Sequence, residues 1–145
     1  FCFEGPRGSR ETWKDYDVPG DLTGTLGDWR WNYPDYLGCC NALDQALGKV
    51  VGKLRERGEL ENTLLLFSSD HACHFWTRNE EYKRSCHDNS IRIPLVARGP
   101  GFMGGKVATG IASNLDLPGT ILRAAGLDVP AHFHGATLQD IFSGV

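Results

Sequence analysis

Several features that would assign this chain to a specialised class of protein are missing from its sequence. No segment approaches the roughly 18 consecutive apolar residues that a membrane-spanning helix needs. The start of the chain also lacks the basic segment and long apolar stretch of a signal peptide. Neither sign of charge dominates, since the net charge is −3 over 145 residues. We therefore expect neither a nucleic acid nor an anionic membrane surface as a partner.

The cysteines lack the spacing of a structural framework. Their number is odd, five, and no two of them form a C-x-x-C pair, so neither a disulfide set nor a zinc ribbon is expected. Buried or incidental thiols are the simpler interpretation. Cys73 and Cys86 flank an unusually polar stretch and would pair only in an oxidising compartment. The sequence leaves that pairing open, and it leaves a periplasmic, extracellular or cytoplasmic location open as well.

The composition, with 41% hydrophobic and 23% charged residues, allows one buried core. The chain begins without methionine, on an apolar Phe1-Cys2-Phe3 segment that is typical of the end of a strand, so we expect a fragment of a longer polypeptide. Residues 1–34 are rich in Gly, Pro and Asp, and they are expected to form an irregular connecting segment. Residues 35–145 are expected to form an α/β portion.

A helix followed by a buried strand is predicted in the middle of the chain. Apolar residues recur with a period of about 3.6 over Tyr36–Arg57, with Pro34 in the first turn. The continuous apolar run Leu64–Phe67 indicates a strand covered on both faces, as in a parallel sheet. The helix is expected to pack on this sheet. The residues expected to face inward are Leu43, Leu47, Val50 and Leu54.

Three further elements complete the fold prediction. Ile91–Arg98 is predicted to be a second strand, and its Pro94 indicates a sheet edge or a bulge. Asp116–Gly126 is predicted to be a helix that ends at a glycine, and Thr137–Phe142 a short helix. The predicted class is α/β, with a mixed or parallel sheet flanked by helices.

Chemically distinctive residues follow the first predicted strand. Asp70 and His71 lie at its carboxyl end, where open α/β sheets bind ligands, and both can turn towards one cation. For an isolated Asp-His pair, capping or turn formation is the simpler explanation. The loop that follows is rich in histidine, lysine and arginine, which suits the oxygens of a tetrahedral anion or its ester, although a solvated run of charges is the alternative.

The order of these motifs resembles the C-terminal half of the catalytic domain of the sulfatase family, within the alkaline-phosphatase-like superfamily. The resemblance spans residues 33–142. The matching segments are YLGCCNALDQALGKVVGKLRERGELENTLLLFSSDH, YKRSCHDNSIRIPLVARGPG and SNLDLPGTILRAAGLDVPAHFHGATL. Several ordered motifs are far more specific than any one of them. The resemblance implies a sulfuric ester hydrolase that acts on a sulfated small molecule or glycan.

The resemblance also implies roles for individual residues. Asp70 and His71 become ligands of a divalent cation, usually calcium, and Lys83 becomes a contact to the sulfate group. A carboxylate suits calcium, whereas imidazole is a softer donor, so the role of His71 depends on the family. Other polar residues of the same loop are candidates for contacting substrate or ordering the loop: His74, Arg78, Asn79 and His87.

The chain departs from the family pattern in important places. The C/S-x-P-x-R motif, whose first residue becomes formylglycine, and the early Asp-Asp pair of the metal site do not occur in these 145 residues. No catalytic nucleophile is therefore expected in this chain, and formylglycine is expected in a missing N-terminal part of the same domain. Arg7 stands where histidine is common. Ala72 replaces a usual glycine, a mild change unless the backbone there has a positive φ.

Two other interpretations stay open. A phosphodiesterase or phosphonate hydrolase of the same superfamily would bind zinc at the Asp-His pair, with His132 and His134 as further ligands. A surface turn before Gly135 explains these two histidines more simply. The second interpretation is that the chain is a catalytically inert truncated module. The missing nucleophile favours this interpretation for the chain as it stands. The particular sulfate ester and the oligomeric state are not predicted.

Residues 1–145 alone are predicted to show no sulfatase turnover, because the nucleophile and part of the metal site are expected elsewhere. Binding without chemistry gives no rate. The measurement is hydrolysis of an aryl sulfate by the purified chain. Hydrolysis that disappears when a residue within the chain is mutated would overturn the prediction.

Overall fold

The computed structural model describes residues 3–102 and 104–143. The terminal strand expected around Phe1 and Cys2 therefore falls mostly outside the described residues. The helices are α1 (Ser9–Thr12), α2 (Trp29–Glu56), α3 (Asp88–Ile91), α4 (Asp116–Ala124) and α5 (Leu138–Ser143). A 3-10 turn covers Leu60–Asn62, and the strands are β1 (Leu65–Ser68) and β2 (Leu95–Arg98). No helix in the described ranges is long and apolar enough to cross a membrane.

The chain divides into two compact units. The first contains the residues up to Glu56 together with His71–Ile93, and the second contains Arg57–Asp70 together with the residues from Pro94 onwards. Helices α1, α2 and α3 belong to the first unit. Both strands, α4 and α5 belong to the second.

The core of the first unit is aromatic. Leu22, Trp29 and Phe75 are buried together, and partly buried rings pack against them. The rings of Phe75 and Tyr36 meet edge to face, with centroids 5.4 Å apart. Such aromatic pairs contribute about 0.5–1.5 kcal/mol beyond the area that they bury. Because Phe75 comes from the 71–93 segment, this core joins that segment to α2.

Helix α2 begins at Trp29, earlier than the predicted start at Tyr36. The carbonyl of Asp28 accepts the backbone N–H of Asn32 at 3.0 Å, and its carboxylate accepts the Asn32 side-chain amide at 2.7 Å. These bonds and the burial of Trp29 fix the first turn upstream of Pro34. The predicted start was wrong, because Pro34 lies inside the helix, where its missing N–H removes only one donor. Part of the segment expected to be irregular is therefore helical.

The second half of α2 does not bury the whole predicted face. Leu43 and Val50 are 58% and 52% exposed in this chain, whereas Leu47 and Leu54 are half-buried. The prediction that all of these side chains face inward is wrong for Leu43 and Val50. A period of about 3.6 identifies an apolar face but not what covers it. Packing of the helix on a sheet stays a prediction.

Strands β1 and β2 pair in the antiparallel sense, with Leu65 opposite Arg98 and Ser68 opposite Leu95. This pair fits the mixed sheet of the predicted fold class but not a parallel neighbour for β1. Strand β2 also begins later than the predicted Ile91. The reason is local, because the N–H of Ile91 bonds back to the carbonyl of His87 at 3.2 Å and forms helix α3 instead.

Helices α4 and α5 confirm the two helices predicted near the C-terminus. The fully buried Thr120 joins them, since its hydroxyl donates to the carbonyl of Asp116 at 2.6 Å and accepts the N–H of Leu138 at 2.8 Å. The Arg123 guanidinium donates to the Thr137 hydroxyl at 2.9 Å and also forms an ion pair with the carboxylate of Asp140 in α5. Polar contacts therefore fix the pairing of these helices.

Gly99 provides a test of the turn that follows β2. Its φ is +130°, and a Cβ at this position would overlap the carbonyl of Thr63. Gly99→Ala is therefore expected to lower the free energy of unfolding by roughly 3 kcal/mol, from the left-handed backbone and the clash together. Gly126 is the matched control, because its φ is +72° but the space around it is open. Gly126→Ala should cost about 1 kcal/mol. Equal losses in urea unfolding would contradict the prediction.

Candidate functional site

The end of β1 is held by a residue from a distant part of the chain. The side-chain amide of Asn114 donates to the carbonyl of Ser69 at 3.0 Å, and its oxygen lies 3.3 Å from the Ser68 hydroxyl. The Ser68 hydroxyl also lies 3.0 Å from the carbonyl of Pro94, so its single proton is shared between acceptors. The backbone immediately before Asp70 is thereby fixed from two sides.

Sequence reasoning missed the role of Asn114. The residue belongs to the S-N-L-D-L-P segment, which was noticed only as part of the family resemblance. Its local signal is a pair of polar residues just before α4, where the N–H of Ser113 donates to the Asp116 carboxylate at 2.7 Å. That pattern predicts a helix start, and nothing in it indicates a partner 45 residues away along the chain.

Asp70 and His71 are adjacent along the chain, and each belongs to a different compact unit. Asp70 is exposed, and His71 is half-buried. The His71 Nδ1 atom lies 2.8 Å from the carbonyl oxygen of Ala72. Because a carbonyl only accepts hydrogen bonds, Nδ1 carries a proton in this contact. In a neutral ring with this tautomer, Nε2 is the nitrogen that binds a metal.

The donors at this point of the chain fit part of a cation site. A carboxylate is a hard oxygen ligand, and a neutral imidazole is a softer second ligand. Among residues 3–102 and 104–143 there is no group of three or more His, Cys, Asp or Glu side chains arranged to hold a metal ion. Calcium takes about six to eight oxygen ligands. One carboxylate and one imidazole are fewer ligands than a calcium ion needs.

Tyr82 contacts two of the residues singled out from the sequence. The Lys83 ammonium lies 5.5 Å from the centroid of the Tyr82 ring, and the His71 ring lies 5.8 Å from the same centroid, edge to face. Lys83 is half-buried. A cation above an aromatic face gains about 0.5–1 kcal/mol. The first unit therefore gathers His71 and Lys83 around one ring, which sequence reasoning did not identify.

A backbone hydrogen bond closes the loop that precedes Lys83. The N–H of His74 donates to the carbonyl of Tyr82 at 2.8 Å, and we call this contact the neck of the loop. Farther along, the N–H of Ala72 donates to the carbonyl of Ser90 at 2.9 Å. The segment is therefore organised by its own hydrogen bonds rather than being an unstructured run of charges.

The remaining candidates occupy different environments. Arg78, Asn79 and His87 are exposed. The Asn79 amide donates to the carbonyl of Arg84 at 2.8 Å, and its oxygen accepts the N–H of Glu81 at 2.9 Å. Asn79 therefore orders the loop, whereas Arg78 and His87 present charge or imidazole to solvent.

His74 is fully buried, with no exposed surface. Neither of its ring nitrogens has a hydrogen-bond partner within the described part of the chain. Burial is the main cause that lowers the pKa of His74, and the nearby His87 and Arg78 act in the same direction. The carbonyl of His74 accepts both the N–H and the hydroxyl of Thr77, at 2.9 and 2.6 Å. These contacts place His74 among the residues that order the loop.

Several secondary expectations can be compared with the structure. Alanine in place of the usual glycine at position 72 causes no backbone strain, because φ is not positive there. Among the described residues, the non-glycine residues with positive φ are Phe75 and Trp76. His132 and His134 are exposed next to a turn in which the N–H of Phe133 donates to Pro130 at 3.0 Å, as the simpler reading predicted. The cysteines of the polar stretch are free thiols, half-buried at position 73 and exposed at 86.

Comparisons with known proteins agree on one family. The model of the Sulfatase family matches residues 4–127. An N-acetylglucosamine-6-O-sulfatase of Bacteroides thetaiotaomicron is 32% identical over 126 residues, which cover 84% of this chain and 23% of that protein. A protein solved in complex with its substrate D-glucosamine-2-N,6-O-disulfate has a TM-score of 0.68 and 31% identity, and the match covers 78% of this chain and 24% of the chain of that protein.

The fold extends to a related hydrolase. A phosphonate monoester hydrolase from Silicibacter pomeroyi has a TM-score of 0.73 and 25% identity, and the match covers 94% of this chain and 28% of the chain of that hydrolase. The chain thus spans about a quarter of the length of these relatives. The α/β class and the alkaline-phosphatase-like fold predicted from the sequence are confirmed. With the family match covering most of the sequence, this chain belongs to the sulfatase family.

Proposed function

We propose that the chain is the C-terminal part of the catalytic domain of a sulfuric ester hydrolase. The observation that carries the proposal is the family match over residues 4–127, which includes Asp70, His71 and Lys83. The share of each relative that is matched, 23% and 24%, is consistent with one part of a larger domain.

Asp70 and His71 are proposed as two ligands of a divalent cation, with calcium as the ion. Three observations support this role: the carboxylate follows a strand end that is hydrogen-bonded to Asn114, the imidazole contacts a backbone carbonyl through Nδ1, and the two residues are neighbours. When bound, the cation would act as a Lewis acid towards the sulfate oxygens. The residues of this chain would hold it and orient it.

Lys83 is proposed to contact the sulfate group. The residue is half-buried, with its side-chain nitrogen 5.5 Å from the centroid of the Tyr82 ring, and partial burial reduces screening by water and strengthens attraction to an anion. A charge-assisted hydrogen bond from an ammonium to an anionic oxygen is about twice as strong as a neutral one. Arg78, Asn79 and His87 are further candidates for contacting substrate, and burial favours loop ordering for His74.

The chain would supply the binding and charge-stabilising half of the reaction. The C/S-x-P-x-R motif does not occur in it, so we propose that a formylglycine nucleophile comes from another part of the polypeptide. Donors already aimed at developing negative charge lower the barrier without reorganising during the reaction. A protonated Lys83 beside a bound cation would provide that stabilisation.

A sulfated amino sugar is the proposed substrate class. Two matches above 30% identity support it: a sequence match to a protein named N-acetylglucosamine-6-O-sulfatase and a structure match to a protein solved with a glucosamine disulfate as its substrate. A sulfated glycan offers the same terminal group.

Substitutions at Asp70 and Lys83 are expected to fail in different ways in the full-length polypeptide that contains this chain. Asp70→Ala should lower activity in a manner that excess calcium partly restores, because it weakens cation binding. Lys83→Ala should leave cation affinity unchanged. It should lower kcat/KM by a factor that corresponds to a loss of about 2–4 kcal/mol of transition-state stabilisation. The measurements are hydrolysis of glucosamine 6-sulfate and calorimetric titration of calcium.

Matched controls come from exposed residues of the same types. Asp128→Ala and Lys106→Ala remove one carboxylate and one ammonium with no partner in the described residues, so activity should change little. Loss of calcium affinity in Lys83→Ala would contradict the assigned roles. Hydrolysis of phosphonate monoesters with no hydrolysis of any sulfate ester would exclude the proposed function.

A further inference from the structure

A strained backbone places Trp76 on the surface of the first unit. The φ values are 50° at Phe75 and 58° at Trp76, in the left-handed region that bulky residues rarely adopt. This conformation is unfavourable for L-residues. Phe75 is only 4% exposed, whereas Trp76 is 45% exposed. The backbone therefore sends one aromatic ring into the core and the next one outward.

The surrounding structure holds this conformation in place. The N–H of Asp28 donates to the carbonyl of Phe75 at 3.0 Å, and Thr77 donates twice to the carbonyl of His74. Gly27, with a φ of +131°, lies so close that a Cβ would overlap the Phe75 carbonyl. Strain that is over-determined in this way is typical of binding sites. Burial of Phe75 explains why the turn exists, but it does not explain an indole at the exposed position.

Trp76 differs from another exposed tryptophan in the same unit. Trp31 is 68% exposed, but the Arg10 guanidinium lies 4.8 Å above its ring. No stacked ring or cation covers Trp76 within the described residues. An amphipathic indole left uncovered on a fixed backbone is a ready surface for the apolar face of a ligand.

The neck of the loop limits how far Trp76 can lie from the proposed sulfate contact. His74 and Tyr82 are joined by a hydrogen bond, Trp76 follows His74 by two residues, and Lys83 follows Tyr82 directly. Chain geometry therefore limits the separation of the Cα atoms of Trp76 and Lys83 to roughly 17 Å at most. A saccharide with its sulfate at Lys83 can reach Trp76 with a neighbouring part of the molecule.

We propose that Trp76 is a stacking platform for a sugar ring of the sulfated saccharide and thus determines specificity. The inference rests on the proposed function, because it takes the sulfate of the same ligand to lie at Lys83. The C–H face of a pyranose is apolar and flat enough to pack on an indole, while the hydroxyls at the ring edge stay in water.

The test uses the full-length polypeptide and compares Trp76→Gly, Trp76→Tyr and Trp31→Ala. Glycine adopts a positive φ without strain, so Trp76→Gly should fold at least as well as the parent. It should raise KM for glucosamine 6-sulfate about tenfold and leave kcat nearly unchanged. Trp76→Tyr should restore most of the affinity, and Trp31→Ala should have no effect.

Competitive inhibitors separate the sugar contact from the sulfate contact. Trp76→Gly should weaken inhibition by sulfate-free glucosamine to the same extent as it raises KM, whereas inhibition by inorganic sulfate should not change. Unchanged inhibition by glucosamine, or equal weakening for both inhibitors, would overturn the inference.

The proposed function can fail separately. If the parent protein hydrolyses no sulfate ester, direct calorimetric titration of glucosamine into the parent and into Trp76→Gly decides the question. Binding that is lost in the variant supports the stacking platform. No binding to the parent, or equal binding to both, eliminates it.

Discussion

The burial of Phe75 against Trp29 is the constraint on which the first unit depends. It joins the 71–93 segment to α2, and the bond from the Asp28 N–H to the Phe75 carbonyl fixes their register. Several otherwise unrelated features follow from it. Helix α2 starts at the residue that must be buried, Gly27 cannot carry a side chain, and the backbone at Phe75 takes a positive φ. Aromatic packing is strong enough to offset this local strain.

In the second unit, polar side chains take the place of a large apolar core. Thr120 is fully buried, and its hydroxyl both donates to and accepts from the backbone, so α4 and α5 meet in one arrangement. A buried polar group that is fully paired specifies one geometry, because each alternative leaves a donor or acceptor unsatisfied. Asn114 also bonds to the end of β1, but it is exposed, so water can replace those bonds and they hold the strand end less strictly.

The sequence predicted which helices and strands are present better than it predicted where they begin and what they pack against. Periodicity revealed α2, α4 and α5, and the apolar run revealed β1. Pro34 indicates a helix start near Tyr36, but the bonds made by Asp28 start α2 at Trp29. The apolar Ile91 indicates a strand, but its N–H bonds to the carbonyl of His87 and makes it helical. At the candidate site, Asp70, His71 and Lys83 were recognisable from motif order. Tyr82 and Asn114 were not, because their roles depend on contacts formed only after folding.

The loop that looked like a uniform run of polar groups is divided by burial. His74 is enclosed and its pKa is lowered mainly by desolvation, so its ring is neutral near pH 7 and adds no positive charge to the segment. Lys83 lies on the other side of the neck, half-buried, with its side-chain nitrogen 5.5 Å from the centroid of the Tyr82 ring. The hydrogen bond from the His74 N–H to the Tyr82 carbonyl lies between the buried imidazole and the half-buried lysine. Residue type alone predicts cationic or imidazole chemistry at both positions, and the difference in burial is visible only after folding.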